Sequence, residues 1–502
     1  MANKRIVLFN PKFERHPQLI LPFALLSISR FLHQDFDIDI FISTPQEDIT
    51  EKLLSKCKDA ICVGFTCLTG INILESLEIA KKIRHNFPHL PLIWGGWHPT
   101  IMTDQTLDNE LVDYIVRGQG ELTFKELVWS LVENKKDITD IKGLSYKKNG
   151  KKYHNPIREV CDIKSFPALP YHLVDVKRFI CSGSEYLESP GFGERSIDYI
   201  SSTGCPNNCQ FCSTPVVYQR KWYGNSVDNI IKDFIFFITN YNIDSILFRD
   251  DNVFVDKKRI LLLCEKLLEN NISLNFGYID ATPKHLLRFT DDEWALLKKT
   301  GFKNFYIGAE AGDNETLRLM NKNLTVEEIL SVSEKCAKYN MELEFSFLIG
   351  TPFKNRDMSP KEIYEEIINN VNLMRLIDKK NKNCRFWQGF YTPYPGNKLY
   401  FLSKEAGFQE PNNFEEWANL SSRRKSFVDI PIKLIRFSDL IMYVLAYRLK
   451  KPYIMKIKKI KDVMRYFLRI LATIRFKLNF YKFPIDFWLF QLYSNFSTGV
   501  KK

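Results

Sequence analysis

The decapeptide TGCPNNCQFC (203–212) places three cysteines, Cys205, Cys209 and Cys212, in one short loop. Thiolates are ligands for soft metals, and their number and spacing select the metal. A structural zinc site asks for four ligands, usually as two pairs, and no second CxxC or CxxH lies near this triad. A loop of this length can hold three corners of a cubane iron–sulfur cluster, which leaves a fourth iron open to a ligand from outside the protein. Two plainer readings stay open on the residues alone: three solvent-facing thiols, or a zinc knuckle completed by a distant ligand. The remaining cysteines are scattered. Cys62, Cys264 and Cys336 lie on apolar faces and Cys161, Cys181 and Cys384 are isolated, so they read as buried spectators.

The loop follows an apolar run, SIDYISS (196–202), that reads as a strand. Further strands are expected at 245–250, 274–279, 304–310, 343–349 and 386–391, with amphipathic helices between them, such as 228–241 and 258–270. Six βα units at this spacing predict a partial (βα)6, TIM-like parallel barrel with its chemistry at the strand carboxyl ends. The first 135 residues alternate in the same way, with strands at 5–9, 36–42, 60–65, 90–96 and 112–116 and helices at 21–32, 72–87 and 121–134. That pattern predicts an α/β, doubly wound, flavodoxin-like domain that binds ligands at its strand ends. Between the two, Asn149-Gly150 marks a β-hairpin and Pro156, Pro167, Pro170 and Pro190 punctuate a connector. The expected boundaries are 1–140, 141–195, 196–405 and 406–502.

The chain has 502 residues, 45% hydrophobic, with a net charge of +12. Residues 432–502 hold 11 Lys and 5 Arg against 3 Asp, a net of +13, so a nearly neutral body carries a basic tail. The start, MANKRIVLFNPKF, reads as a first strand rather than an export signal, and no apolar run of spanning length escapes interruption by charge. Reduced thiols and a cytoplasmic setting are expected.

CPNNCQFC after the first barrel strand resembles the signature of the radical S-adenosylmethionine (SAM) superfamily. The resemblance implies that SAM chelates the open iron of a 4Fe-4S cluster. An external donor of flavodoxin or ferredoxin type reduces the cluster, and SAM is cleaved to a 5′-deoxyadenosyl radical that abstracts hydrogen. It implies an adenine contact for Phe211. FRDDNVF (248–254) resembles the segment that contacts the SAM amino group, a role falling on Asp250 and Asp251. IGAEAGDNETLRLMNK (307–322) resembles the strand-four element, with Glu310 expected at the SAM ribose or substrate. FSFLIGTP (345–352) resembles the strand-five element near adenine, with Gly350 its glycine. YTPYPGNKLY (391–400) resembles the end of the barrel in cobalamin-dependent members. Taken singly, each acid also fits a helix cap or surface charge; the ordered set carries the resemblance.

ICVGFTCLTG (61–70) and LIWGGWHPT (92–100) resemble the loops of the cobalamin-binding domain that precedes the barrel in that subgroup. Thr66, Leu68, Gly95, Gly96 and His98 match them, and GQGELTF (118–124) resembles a following motif with Gln119 a departure and Glu121 retained. Glycines at a strand end let a bulky ligand approach the backbone, and the loop after the first strand lacks the GxGxxG of a dinucleotide site. Nor does that loop carry the DxHxxG that supplies a lower cobalt ligand in other cobalamin domains; it has only His16, in another setting. Base-off cobalamin without that histidine is expected, with His98 contacting ligand phosphate or backbone. The resemblance spans residues 1 to about 405 and is to class B radical SAM methyltransferases and the anaerobic magnesium-protoporphyrin IX monomethyl ester cyclase group. It implies C-methylation of an unactivated carbon through methylcobalamin. The alternatives are a radical cyclase or C–C-bond-forming enzyme of the same architecture, or, from another class, a cobalamin/iron–sulfur sensor or carrier.

Residues 452–480 place apolar side chains at 454, 457, 460, 464, 467, 471, 474 and 478 with Lys and Arg between them, a basic amphipathic helix. FPIDFWLFQLY (483–493) adds aromatics. The stretch reads as a cap packed on the barrel or as attachment to an anionic membrane surface, the latter suiting a lipid or isoprenoid small-molecule substrate. Nucleic acid is not an expected partner, because the body is neutral and holds no RNA-binding module.

Overall fold

A computed structural model describes residues 5–12, 19–133, 137–354, 356, 358–420, 430–448 and 460–498. His16 and residues 452–459 of the basic stretch lie outside the described residues. The chain forms two compact units, 1–279 with 392–425, and 280–391 with 426–502.

The first unit is built on a seven-stranded sheet: β1 (Arg5–Asn10), β2 (Asp37–Ile42), β3 (Ala60–Thr66), β4 (Leu92–Gly95), β5 (Tyr114–Val116), β6 (Leu144–Lys148) and β7 (Lys151–His154), ordered β2-β1-β3-β4-β5-β6-β7. The first five are parallel and the last two antiparallel. A sheet covered on both faces needs apolar residues at every strand position, and β1 supplies them: Val7 and Phe9 enter one core, Ile6 and Leu8 the other. The first core takes Ile73, Leu77, Ala80 and Ile83 from helix Asn72–Asn86; the second takes Leu25 and Phe124, Leu127 and Val128 from helices Phe23–Ser29 and Glu121–Glu133. The order 2-1-3-4-5 is that of a flavodoxin-like sheet, with its ligand crevice where the order reverses.

Two features of this unit were not legible in the sequence. The Asn149-Gly150 hairpin forms as expected, with both residues at positive φ, but it joins the first sheet as β6 and β7 and closes the edge that β5 would leave unpaired. Residues 392–420, which follow the last barrel strand, belong to this same unit. Tyr400, Phe414 and Trp417 pack into the first core beside Phe65 and Trp94, and Trp94 meets Phe414 edge-on at 5.3 Å. Gln105 donates to the Pro411 carbonyl at 2.7 Å.

Three parallel strands, β8 (Ser196–Tyr199), β11 (Ser245–Phe248) and β12 (Asn275–Gly277), complete the first unit's regular structure. β8 is shorter than the run expected from the sequence. The chain turns after Tyr199, and β9 (Ser202–Gly204) pairs antiparallel with β10 (Trp222–Gly224), so a small ladder closes the base of the cysteine loop. In the second unit β14 (Asn304–Glu310), β15 (Glu342–Ile349) and β16 (Cys384–Phe390) are parallel, with the two-residue β13 (Ile279–Asp280) at their edge. The expected single strand over 274–279 is broken at Tyr278, whose φ is +52°. Helices Asp291–Lys299 and Val326–Lys338 begin with capping boxes, Thr290 with Glu293 and Thr325 with Glu328. The unit ends in three helices, Ile432–Tyr447, Ile460–Leu478 and Ile485–Thr498. Among the described residues no helix is long and apolar enough to cross a membrane.

Trp417 is fully buried although it comes from beyond the last barrel strand. Trp417→Ala is expected to destabilise the first unit by about 3–5 kcal/mol through loss of packing and the cavity left behind; urea unfolding followed by circular dichroism measures it.

Candidate active site

Cys205, Cys209 and Cys212 lie on the loop enclosed by the β9–β10 ladder. Cys209 is buried and the other two are partly exposed. The Cys212 amide donates to the Cys209 carbonyl at 3.2 Å, a tight turn that puts the last two thiols on one bend. The segment 392–400 pins the loop from outside: the Leu399 amide donates to the Gln210 carbonyl at 2.9 Å, and Ser213 Oγ donates to the Pro395 carbonyl at 3.0 Å. Burial pushes the Cys205 thiol up, and the carboxylate of Asp251 and the thiol of Cys212 act on it in the same direction. Metal binding at this loop must therefore displace protons. Among the described residues no three His, Cys, Asp or Glu side chains converge on a point that could hold a single ion. An iron–sulfur cubane does not ask for that convergence, because each thiolate binds its own iron. Three thiols on one pinned loop, with Phe211 half-buried between them, fit such a cluster.

The two acids after β11 have different surroundings. Asp250 is buried and consumed internally. Its oxygens accept from the Ser201 amide at 3.1 and 3.0 Å, from Ser201 Oγ at 2.8 Å and from Ser202 Oγ. Arg259 Nη2 donates to the Ser201 carbonyl at 2.6 Å and Nε to the Asn225 carbonyl at 3.0 Å, which locks the same corner. Asp251 is accessible on one side yet walled by protein on the others. Thr214 Oγ1 donates to it at 3.4 Å, and its carboxyl is pushed up to about 6, first by burial and then by neighbouring Asp250. Of the pair, Asp251 is the carboxylate that an incoming ligand at the cysteine loop can meet.

Glu310 and Gly350 lie in the second unit. Glu310 ends β14 with φ +63°, a left-handed conformation costly for a side-chain-bearing residue, and its Oε1 accepts from Lys322 Nζ at 3.0 Å. The register shifts between Gly308 and Glu310, and a Cβ on Gly308 would stand 2.0 Å from Glu310 Oε1. The strand end is bent so that this carboxylate folds back over it. Gly350, at φ +74°, donates its amide to Glu366 Oε2 at 2.5 Å. Glu366 also pairs with Arg356 at 2.7 Å, and burial pushes its carboxyl up to about 7.

In the first unit, Thr66, Gly95, Gly96 and Glu121 line one cavity of about 330 Å³. Gly96 has φ +97°, and a Cβ there would come within 2.7 Å of the Cys67 carbonyl, so only glycine makes this cradle. Glu121 is buried at the start of its helix; burial pushes its carboxyl up, and Arg30 opposes that. The far wall comes from the segment that carries the cysteine loop, with Ile200, Thr203, Val217, Tyr218 and Asn225. The open glycine cradle and mixed apolar and polar walls fit part of a corrinoid. Leu68 is half-exposed and not in the wall. Nor is His98 brought to the cavity. It is fully buried, its Nδ1 is 2.9 Å from Thr69 Oγ1, and its ring stacks on Phe414 at 5.3 Å and meets Trp417 at 5.4 Å. Burial holds its pKa down to about 3, so the ring is neutral.

No sequence motif announced Arg30, Asp233 and Tyr218, which line the cavity, or Tyr199 behind it. Each sits on an ordinary amphipathic or apolar element. Tyr199 donates to Asp233 at 2.8 Å, and burial pushes the Asp233 carboxyl up to about 6 despite that bond and the charge of Arg30. A carboxyl raised in the folded state makes the folded state bind more protons than the unfolded one, so stability falls as pH rises from about 4 through about 6. Asp233→Asn is expected to flatten that slope; urea midpoints measured across the window check it.

The Radical SAM superfamily profile matches residues 199–367, and the B12 binding domain profile matches residues 16–128. The chain is 26% identical over 385 residues to the uncharacterized methyltransferase PH0819 of Pyrococcus horikoshii, covering 76% of this chain and 77% of that one. It is 23% identical over 333 residues to the anaerobic magnesium-protoporphyrin IX monomethyl ester cyclase of a Synechocystis strain, covering 63% of each. Its fold is similar to that of the radical SAM methyltransferase TsrM from Kitasatospora setae, solved with cobalamin and a [4Fe-4S] cluster, with a TM-score of 0.62, 18% identity, and 82% of this chain and 76% of that one covered. The two domains bring three cofactors with them: a 4Fe-4S cluster, SAM and cobalamin. The chain therefore belongs to the radical SAM enzymes that carry a B12-binding domain.

Proposed function

We propose that this enzyme methylates an unactivated carbon of a small-molecule substrate. One observation carries the reading. The glycine cradle of the B12-binding domain and the segment bearing the cysteine loop share the walls of a single cavity within one compact unit. A methyl carrier and a radical source held that close suit sequential hydrogen abstraction and methyl transfer at one carbon. When bound, the cluster and SAM supply a 5′-deoxyadenosyl radical, and cobalamin supplies the methyl group. The chain's residues do the holding. Cys205, Cys209 and Cys212 ligate the cluster, and Phe211 flanks the adenine. Asp251 receives the SAM amino group while Asp250 keeps it in place. Glu310 and Gly350 serve the ribose and adenine. Thr66, Gly95, Gly96 and Glu121 cradle the corrinoid, and His98, neutral and buried, supports the glycine loop from behind rather than reaching cobalt. The electron comes from an external flavodoxin- or ferredoxin-type donor.

The methyltransferase names of PH0819 and TsrM support methylation. The likeness to the cyclase favours a second reading, ring formation without methyl transfer. Product mass separates them: methylation adds one CH2 unit, and cyclisation removes a pair of hydrogens. Anaerobically reconstituted protein is expected to hold about four iron atoms per chain and to release 5′-deoxyadenosine from SAM. Cys209→Ala is expected to lose the iron and that release together while retaining bound cobalamin; full iron and activity in this variant would overturn the reading.

A further inference from the structure

The penultimate helix, Ile460–Leu478, has two apolar stripes. Leu468, Ala472, Arg475 and Phe476 face inward and are buried. Arg375 fastens this face to the unit by donating to the Phe476 and Lys477 carbonyls at 3.0 and 2.8 Å. Val463, Phe467, Ile474 and Leu478 repeat at helical spacing about a third of a turn away, and all four are exposed, Leu478 by 71%. Further along the chain, directly after this helix, Phe483 is 76% exposed and Trp488 57%. A stripe needed only to hold the helix in the fold would face the core; this second one does not.

The turn is built to present these side chains. The Arg475 side chain ties it together: Nε donates to Asp486 at 3.0 Å, Nη1 to the Phe480 and Lys482 carbonyls at 3.1 and 2.9 Å, and Nη2 to the Phe483 carbonyl at 2.7 Å. Within that frame Phe483 itself sits at φ +50°. A large aromatic held in the left-handed region and displayed to solvent is strained and poorly hydrated at once. The charge pattern is one-sided. Around the turn the one carboxylate, Asp486, is buried against Arg475, whereas Lys477 and Lys482 stand exposed beside Leu478 and Phe483; the one acid of helix Ile460–Leu478, Asp462, lies at its far end.

We propose that this face, the outer stripe of Ile460–Leu478 with the Phe480–Trp488 turn, docks on an anionic lipid bilayer. Phe483 and Trp488 enter the interfacial layer, and Lys477 and Lys482 meet the headgroup phosphates. Exposed aliphatic and aromatic side chains with the exposed Lys477 and Lys482 beside Leu478 and Phe483 match such a surface in both polarity and charge. The inference stands independently of which reaction the enzyme performs.

The test uses the full chain with vesicles of phosphatidylcholine, with and without phosphatidylglycerol. Wild-type protein is expected to sediment with the phosphatidylglycerol vesicles and much less with phosphatidylcholine alone. Lys477→Glu/Lys482→Glu is expected to weaken that partition by about thirtyfold or more, because each surface cation contributes about 1 kcal/mol and both charges are reversed. Phe483→Gly carries a second readout: glycine relieves the left-handed strain, so the variant should melt no lower than wild type while binding vesicles more weakly. Wild-type protein that stays in solution with both vesicles overturns the proposal, as does binding indifferent to both sets of substitutions. A concentration-dependent dimer that Phe483→Gly abolishes, without vesicle binding, would instead assign the face to a second copy of this chain.

Discussion

The active end of the first unit depends on keeping one carboxylate, Asp250, away from water. A buried charge is tolerated only when its oxygens are satisfied. Here the Ser201 amide, the Ser201 and Ser202 hydroxyls and the nearby Arg259 guanidinium meet that need. Those same contacts tie the turn after β8 to the end of β11. The chain must therefore leave β8 early, form the β9–β10 ladder and project the cysteines from it. They also leave Asp251, the next residue, as the acid with an open side. One satisfied charge thus sets both the origin of the metal-binding loop and which neighbouring carboxylate a ligand can reach.

A second constraint works on the other cofactor. Gly95 and Gly96 make an approach possible only if their loop is held still, and the two glycines have no side chains to hold it; Thr100 Oγ1, from the same segment, donates to the Gly96 carbonyl at 2.7 Å. Further rigidity comes from behind. His98, neutral because it is buried, is wedged between Thr69, Phe414 and Trp417. Phe414 and Trp417 arrive from beyond the last barrel strand, and the same returning segment pins the cysteine loop at Gln210 and Ser213. One stretch of chain therefore supports the cradle of one cofactor and the ligand loop of the other.

In the second unit the strained positions gather at strand ends. Glu310 is left-handed with its carboxylate folded over Gly308, and Gly350 hands its amide to a carboxyl that burial has pushed up. Strain of this kind persists only where surrounding contacts over-determine it. Lys322 at the Glu310 carboxylate, and Glu366 with Arg356 at the Gly350 amide, supply those contacts.

Much of this was legible from one dimension. Apolar periodicity located the parallel strands and the helices between them, though it overran the ends of β8 and β12, and the Asn149-Gly150 pair marked the turn, because those signals are local. The three-cysteine spacing and the ordered motifs after it named the chemistry, because ligand count and spacing are properties of the chain itself. The illegible part is all long-range. No pattern marked Arg30 and Asp233 as cavity residues, and none showed that β6 and β7 would close the first sheet or that Trp417 would fill a core laid down by β1 to β5. His98 looked like a loop ligand because its burial depends on residues more than 300 positions away. The sequence by itself determined which cofactors the chain is equipped to use. Only the tertiary structure decided which acid is spent on the fold, which histidine is sealed off and which apolar stripe of the tail stays bare, because burial is set by what folds back over a residue and not by its neighbours in the chain.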